Sequence, residues 1–243
     1  MKKIICWLLG VIFSLNVNAG LIDFESTASG ATPTDNGIID LTDIFMADGV
    51  SVQFGFDIDK DGTLDTEAVF EQAGNTDAGE DTGFWGISKA RDVAAPGFTS
   101  LLGDFFLRQY DPYQPFGYFI ILYDADNAVT EASGEIWDID GKPGKTEQFL
   151  VEAFDGSTLL DSISSPLGID NSLNGEPWAF GFSGLSDITK IRISFTGSKT
   201  QGIGLAFNNF SPVEDISLSV NVSEPLTFTM FALGLVGILL RRL

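Results

Sequence analysis

The sequence predicts an all-β protein, a single antiparallel β-sandwich of jelly-roll-like form, set between an N-terminal signal peptide and a C-terminal transmembrane helix. Three observations predict the sandwich. Short apolar stretches either alternate with period two or are rich in β-branched and aromatic residues. Segments rich in Gly, Asp, Asn and Pro separate them, and no stretch offers an amphipathic helix of four turns. Many short strands at intervals of roughly 10 to 20 residues are the pattern of two packed antiparallel sheets.

In chain order, residues 38–41 alternate weakly. Residues 50–56 alternate cleanly, with Val50, Val52, Phe54 and Phe56 on one face. Further strands are expected at 104–108, 117–123, 132–139, 148–154, 157–163, 178–182, 190–196 and 203–210. Residues 75–98, rich in Gly, Asp and Ala, read as a long exposed loop. The organisation that follows is a leader over 1–19, the sandwich over 20–211, a linker over 212–221 and a tail over 222–243.

The leader opens with Met1, Lys2 and Lys3, continues with an apolar run over 4–15, and ends in Val17, Asn18 and Ala19. That is the build of a secretory signal peptide cleaved after Ala19. Cys6, the one cysteine, lies inside the apolar run with no lipobox around it, so it leaves with the leader. The mature chain then has no cysteine, and the sequence has no histidine. Disulfides, thiolate chemistry, Cys or His zinc sites, Ser-His-Asp triads and haem ligation by His are all excluded. With Lys2, Lys3, Arg241, Arg242 and Glu224 assigned to the two ends, residues 20–221 hold 9 basic and 33 acidic residues, a net charge of −24. Such a charge argues against nucleic acid and anionic membrane surfaces, and favours bound cations.

The tail has three parts in order: Ser223, Glu224 and Pro225, an uncharged run over 226–240, and the basic pair Arg241 and Arg242. As a helix the run is about 22 Å long, short of the ~30 Å hydrocarbon core, so it spans with local thinning or interfacial ends. The arginines would stay cytoplasmic and everything before Pro225 outside the inner membrane. The three-part order resembles the PEP-CTERM sorting signal of Gram-negative bacteria, with Ser-Glu-Pro in place of the commoner Pro-Glu-Pro. The resemblance implies recognition of the tail by an exosortase, processing near the motif, and delivery to the cell surface or extracellular matrix. The simpler alternative is a plain membrane anchor.

The sharpest motif in the secreted part is Asp57-Ile58-Asp59-Lys60-Asp61-Gly62-Thr63-Leu64-Asp65. Carboxylates at alternate positions, a glycine for the turn, the Thr63 carbonyl and Asp65 together offer oxygens around one point. The pattern resembles the calcium loop of EF-hands, dockerins and thrombospondin-type repeats, although its twelfth position is Ala68 rather than a bidentate Glu. A structural Ca2+ is the expectation; a hairpin turning at 60–63 with solvated acids is the alternative.

A second acidic stretch holds Glu135, Asp138 and Asp140 around Trp137. It resembles the catalytic strand of laminarinase-like glycoside hydrolases, but strand alternation puts Glu135 opposite Asp138 and Asp140, where retaining hydrolysis needs two carboxyls on one face. A carboxylate-dependent glycoside hydrolase or polysaccharide lyase is therefore the enzymatic alternative to a non-enzymatic role. Tyr110, Tyr113, Phe116 and Trp137 could stack on sugar rings of an extracellular polysaccharide, or fill the core as aromatics in sandwiches usually do. Finally, 21–25 and 206–210 resemble the first and last strands of galactose-binding-like jelly rolls, which implies that they lie side by side, with acids or amides there holding a structural cation.

Overall fold

Val50, Val52, Phe54 and Phe56 are 8, 1, 0 and 0 % exposed, so the alternation read from the sequence is an inward face. The computed structural model describes residues 20–74, 83–86, 90–111, 116–124, 129–170, 172–200 and 202–212. The leader with Ala19 and the tail with Ser223, Glu224, Pro225, Arg241 and Arg242 lie outside them. No helix of the described residues is long and apolar enough to cross a membrane.

The described residues form two six-stranded sheets in which every pairing is antiparallel. The first contains, from edge to edge, β1 (Ile38–Ile39), β4 (Ala68–Gln72), β5 (Phe105–Gln109), β12 (Ala206–Ser211), β7 (Ala132–Trp137) and β10 (Pro177–Phe182). The second contains β2 (Phe45–Ala47), β3 (Val50–Asp57), β6 (Tyr118–Tyr123), β11 (Lys190–Phe195), β8 (Phe149–Asp155) and β9 (Thr158–Ser164). One helical turn, α1 (Thr99–Leu102), completes the set. The ten expected strands are present; β2 and β4 were not anticipated.

Phenylalanine joins the sheets. Phe207 of β12 lies 5.0 Å from Phe119 of β6 and 6.3 Å from Phe54 of β3, ring centre to ring centre, and 6.4 Å from Phe180 of β10. Edge-on and offset rings at such spacings are favourable beyond the area they bury. Phe24 stands among Phe45, Phe54, Phe70 and Phe207 at 1 % exposure, and does so at φ 59, a left-handed conformation that a bulky residue adopts only when packing holds it. Two residues earlier Ile22 bridges Phe210, donating its N–H at 2.7 Å and accepting Phe210 N–H at 2.9 Å. The start and end of the domain thus lie side by side, as the terminal strands suggested.

The first sheet is buried on its outer face too. A second apolar cluster joins Phe106 of β5, Trp137 of β7 and Ala206 of β12 to Phe84, Ala94 and Leu102. The stretch expected to be an exposed loop over 75–98 is, in its described part, the cover over this face: Phe84, Asp92, Ala94 and Ala95 are all buried. Alternating apolar residues did not announce it, because a cover needs only occasional anchors.

Truncating Phe207 removes the ring shared by both sheets. Phe207→Ala is expected to cost about 3–5 kcal/mol, read as a drop in denaturant midpoint at unchanged slope; a loss below ~1 kcal/mol would mean that the inter-sheet core does not depend on it.

Candidate functional site

β3 ends at Asp57, and the chain crosses from the second sheet to the first through residues 58–67 before entering β4. The crossing is pinned at its neck, where Phe56 N–H donates to Thr66 O at 2.8 Å and Asp65 N–H to Phe56 O at 2.9 Å. Inside the neck, Lys60 at φ 65 and Gly62 at φ 98 fold the loop back on itself. One carboxylate oxygen from each of Asp57, Asp59 and Asp61 then falls within 4.8 Å of the others, Asp57 buried and the other two exposed. Oxygens bound to one calcium at 2.3–2.6 Å can be at most about 5 Å apart, so the spacing fits a single hard cation.

The loop's own amides organise these acids. Asp57 accepts N–H from Asp61 at 3.1 Å and from Gly62 at 2.9 Å; Asp59 accepts Asp61 N–H at 3.1 Å. Asp61 accepts both the hydroxyl of Thr63 at 2.6 Å and its N–H at 2.9 Å, and these bonds hold its carboxyl below the usual range. The basic residue inside the loop does not neutralise it: Lys60 Nζ sits 4.9 Å above the Tyr118 ring. Arg192 shares that ring and is bonded to Glu152 at 2.9 Å, feeling Asp57 only as a weaker influence.

Asp65 turns its carboxylate to Ile58 N–H at 3.1 Å and, more loosely, to Asp59 N–H, and so is not gathered with the three. Thr63 donates its hydroxyl and N–H to Asp61, which leaves its carbonyl uninvolved in those two bonds.

The aromatic residues proposed for sugar contact are separated by burial. Tyr110 is 55 % exposed, but Phe116 and Trp137 are 7 and 1 % exposed. Trp137 is roofed by the cover over the first sheet, and Phe116 packs edge-on against Phe56 and Phe149, so neither presents a face to a ligand. Tyr113 lies outside the described residues. Trp85, 48 % exposed and stacked by Arg91 at 5.1 Å, is the other accessible large ring among the described aromatics of the first sheet's side.

Glu135 is half-buried on the outer face of β7, opposite Asn208 in register, and accepts a bond from Asn209 Nδ2 at 2.8 Å. Burial raises its pKa, against the pull of Asn209 and Trp137. Asp138, at φ 62 beyond the strand, accepts Gly175 N–H at 2.7 Å; burial and the nearby Asp140 raise it well above the carboxylate range. Asp140 is pushed up to about 6 by burial and by Glu147. Glu135 and Asp138 thus each tie β7 to a neighbouring segment, which is a structural task.

A cluster that the sequence did not reveal lies under the cover. Glu71 of β4 and Arg108 of β5 form a buried ion pair, and Arg108 also donates to Asn36 and to the carbonyls of Gln109 at 2.8 Å and Tyr110 at 3.0 Å. Asp92, fully buried in the cover, accepts N–H from Gly83 at 2.8 Å and Phe84 at 2.9 Å through Oδ1. Its Oδ2 has no donor to accept from, and the nearby charge of Glu71 bears on it. Two carboxylates cannot bond without a proton, and one on Asp92 would allow it to bond Glu71. Burial, with the charge of Glu71 second, pushes Asp92 up to about 8. The residues are spread over positions 71, 92 and 108, with no spacing to read.

A carboxyl raised in the folded state gives stability that is full below the unfolded pKa near 4 and is lost as pH rises through about 8. Asp92→Asn keeps the acceptor for Gly83 and Phe84 and carries a permanent donor toward Glu71. It is expected to flatten the decline in melting temperature between about pH 4 and 8 and to melt above the parent at pH 9; a parallel pH profile in the two proteins would refute the shared proton. No protein-family model matches this sequence, and no curated protein matches it.

Proposed function

We propose that this chain is a secreted, non-enzymatic β-sandwich protein of jelly-roll order that a structural calcium stabilises and that binds or scaffolds extracellular polysaccharide. What supports the jelly roll is strand order. Taken alone, β5 to β12 interleave as β5-β12-β7-β10 in one sheet and β6-β11-β8-β9 in the other, the arrangement of two Greek keys, with β1, β4 and β2, β3 as edge additions.

The observation that carries the calcium reading is the gathering of Asp57, Asp59 and Asp61 within 4.8 Å, with Lys60 turned away to Tyr118. These three would hold the ion. Its contribution is to neutralise mutually repelling carboxylates at the crossing between the sheets. Millimolar calcium outside the cell is matched to affinities of about 10⁻⁴–10⁻³ M, so a weak site serves.

The route to that compartment is the leader cleaved after Ala19 and the tail of Ser223, Glu224 and Pro225, apolar run and Arg241-Arg242, which resembles a PEP-CTERM signal processed by an exosortase. Before processing, the tail would hold the protein at the inner membrane. A charge of −24 over 20–221 would keep neighbouring copies apart and let calcium bridge them to acidic polymers. Among the described rings of that set, exposed Tyr110 is the one available for sugar stacking.

A melt in calcium tests the central part. With a dissociation constant near 1 mM, 10 mM calcium adds about 1.4 kcal/mol, a rise of about 3–5 °C for a domain of this size. The rise is expected to vanish with a chelator and in the Asp59→Asn/Asp61→Asn variant. An equal rise in that variant would place calcium elsewhere, and no rise would remove it from the account.

A further inference from the structure

Gly20 is buried beside the turn that joins β2 to β3. That turn is Asp48-Gly49 at φ 49 and 81, two left-handed residues between the paired Ala47 and Val50, which is a type I′ hairpin. The Gly20 nitrogen lies 2.7 Å from Asp48 Oδ2. A Cβ at position 20 would stand 2.9 Å from Asp48 Cγ and Oδ2, so a side chain there would push the carboxylate away from the nitrogen. Asp48 thus meets Gly20 through its nitrogen.

In an uncut chain that nitrogen is a neutral amide with one hydrogen. Hydrolysis of the Ala19–Gly20 peptide bond by water leaves a carboxylate on Ala19 and an α-amine on Gly20, which protonates to an ammonium with three donors and a full charge. We propose that Asp48 is a receptor for the new N-terminus, forming an ion pair that exists only once the leader has been removed. It rests on the cleavage after Ala19 contained in the proposed function.

The consequence follows from what lies two residues further on. Ile22 is bonded in both directions to Phe210 of β12 in the first sheet, whereas Asp48 belongs to a hairpin of the second. The run 20–22 therefore links the sheets at the mature end of the chain, and cleavage converts its amide–carboxylate hydrogen bond to Asp48 into an ion pair. Processing thus tightens the fold that it releases.

The test uses the full-length exported protein, purified with its tail in detergent, and its α-amine as the probe. N-terminal sequencing first establishes the mature residue. Brief acylation with acetic anhydride at pH 7 is then followed by mass spectrometry of the N-terminal peptide, since only a free, deprotonated amine reacts. The Gly20 amine is expected to react about threefold or more slower than in Asp48→Asn, a variant whose Asn is at home in the left-handed turn and so retains the hairpin. Inserting one alanine between Ala19 and Gly20 keeps Asp48 but moves the ammonium outward, and its amine should react as fast as in Asp48→Asn. Equal rates in the parent and both variants would overturn the ion pair while leaving the cleavage intact. A mature N-terminus other than Gly20 would overturn both.

Discussion

The last strand of the sandwich lies in its middle, and the rest of the structure depends on it. All six residues of β12 are buried, because it is hydrogen-bonded to β5 on one side and β7 on the other while its two faces meet the inter-sheet core and the cover. Its side chains divide the labour. Phe207 and Phe210 fill the space between the sheets, Ala206 lets Trp137 and Phe106 close over the outer face, and Asn208 bonds Leu102 O at 2.6 Å to fix the cover's helical turn. Ile22 reaches Phe210 across most of the sequence. Such pairings demand closure of long loops before they return any stability, so the sheet cannot be completed until the chain is available through Ser211.

The second constraint is charge. A strongly acidic chain must place some carboxyls against each other, and this one handles them in two ways. On the outside, at Asp57, Asp59 and Asp61, backbone amides orient the carboxylates around a point that suits a cation. On the inside, burial pushes Asp92 up to about 8 beside Glu71, and Glu135 and Asp138 are each tied by a donor. The formal charge therefore overstates what the folded protein carries near pH 7. The same sheet that needs a dry outer face also needs these hydrogen bonds to hold the cover down, which is why burial and acidity coincide there.

The sequence made the strands legible because their inward faces obey period two, most clearly in Val50 to Phe56. It did not make β2 legible, since three residues are too few to show a period, nor β4, whose Ala68 reads as the end of the acidic loop and whose Val69 and Glu71 face the cover rather than solvent. The acidic loop was legible to the extent that its spacing is local: alternate positions and Gly62 place three carboxylates together whatever the rest of the fold does. Asp65 is spent on the N–H of Ile58 across the base of the loop, a contact that alternate spacing alone does not show. Phe116 and Trp137 follow the core alternative for different reasons: Phe116 packs on Phe56 and Phe149 between the sheets, and Trp137 lies under the cover, which has no periodic signature. Glu71, Asp92 and Arg108 meet only through strand pairing and the cover, and nothing local marks them.

The central claim is that the loop between β3 and β4 holds a cation, and Tyr118 makes it directly observable. Tyr118 pairs with Asp57 in register and is overlain by Lys60, so a terbium ion bound at the carboxylates would lie near its ring and be sensitised by it. Exciting the protein in the tyrosine band with terbium present should give metal emission that millimolar calcium displaces and that Asp59→Asn/Asp61→Asn abolishes. Emission that survives the double substitution, or none at all, would contradict a cation at this loop and leave the sandwich without the ion that the account gives it.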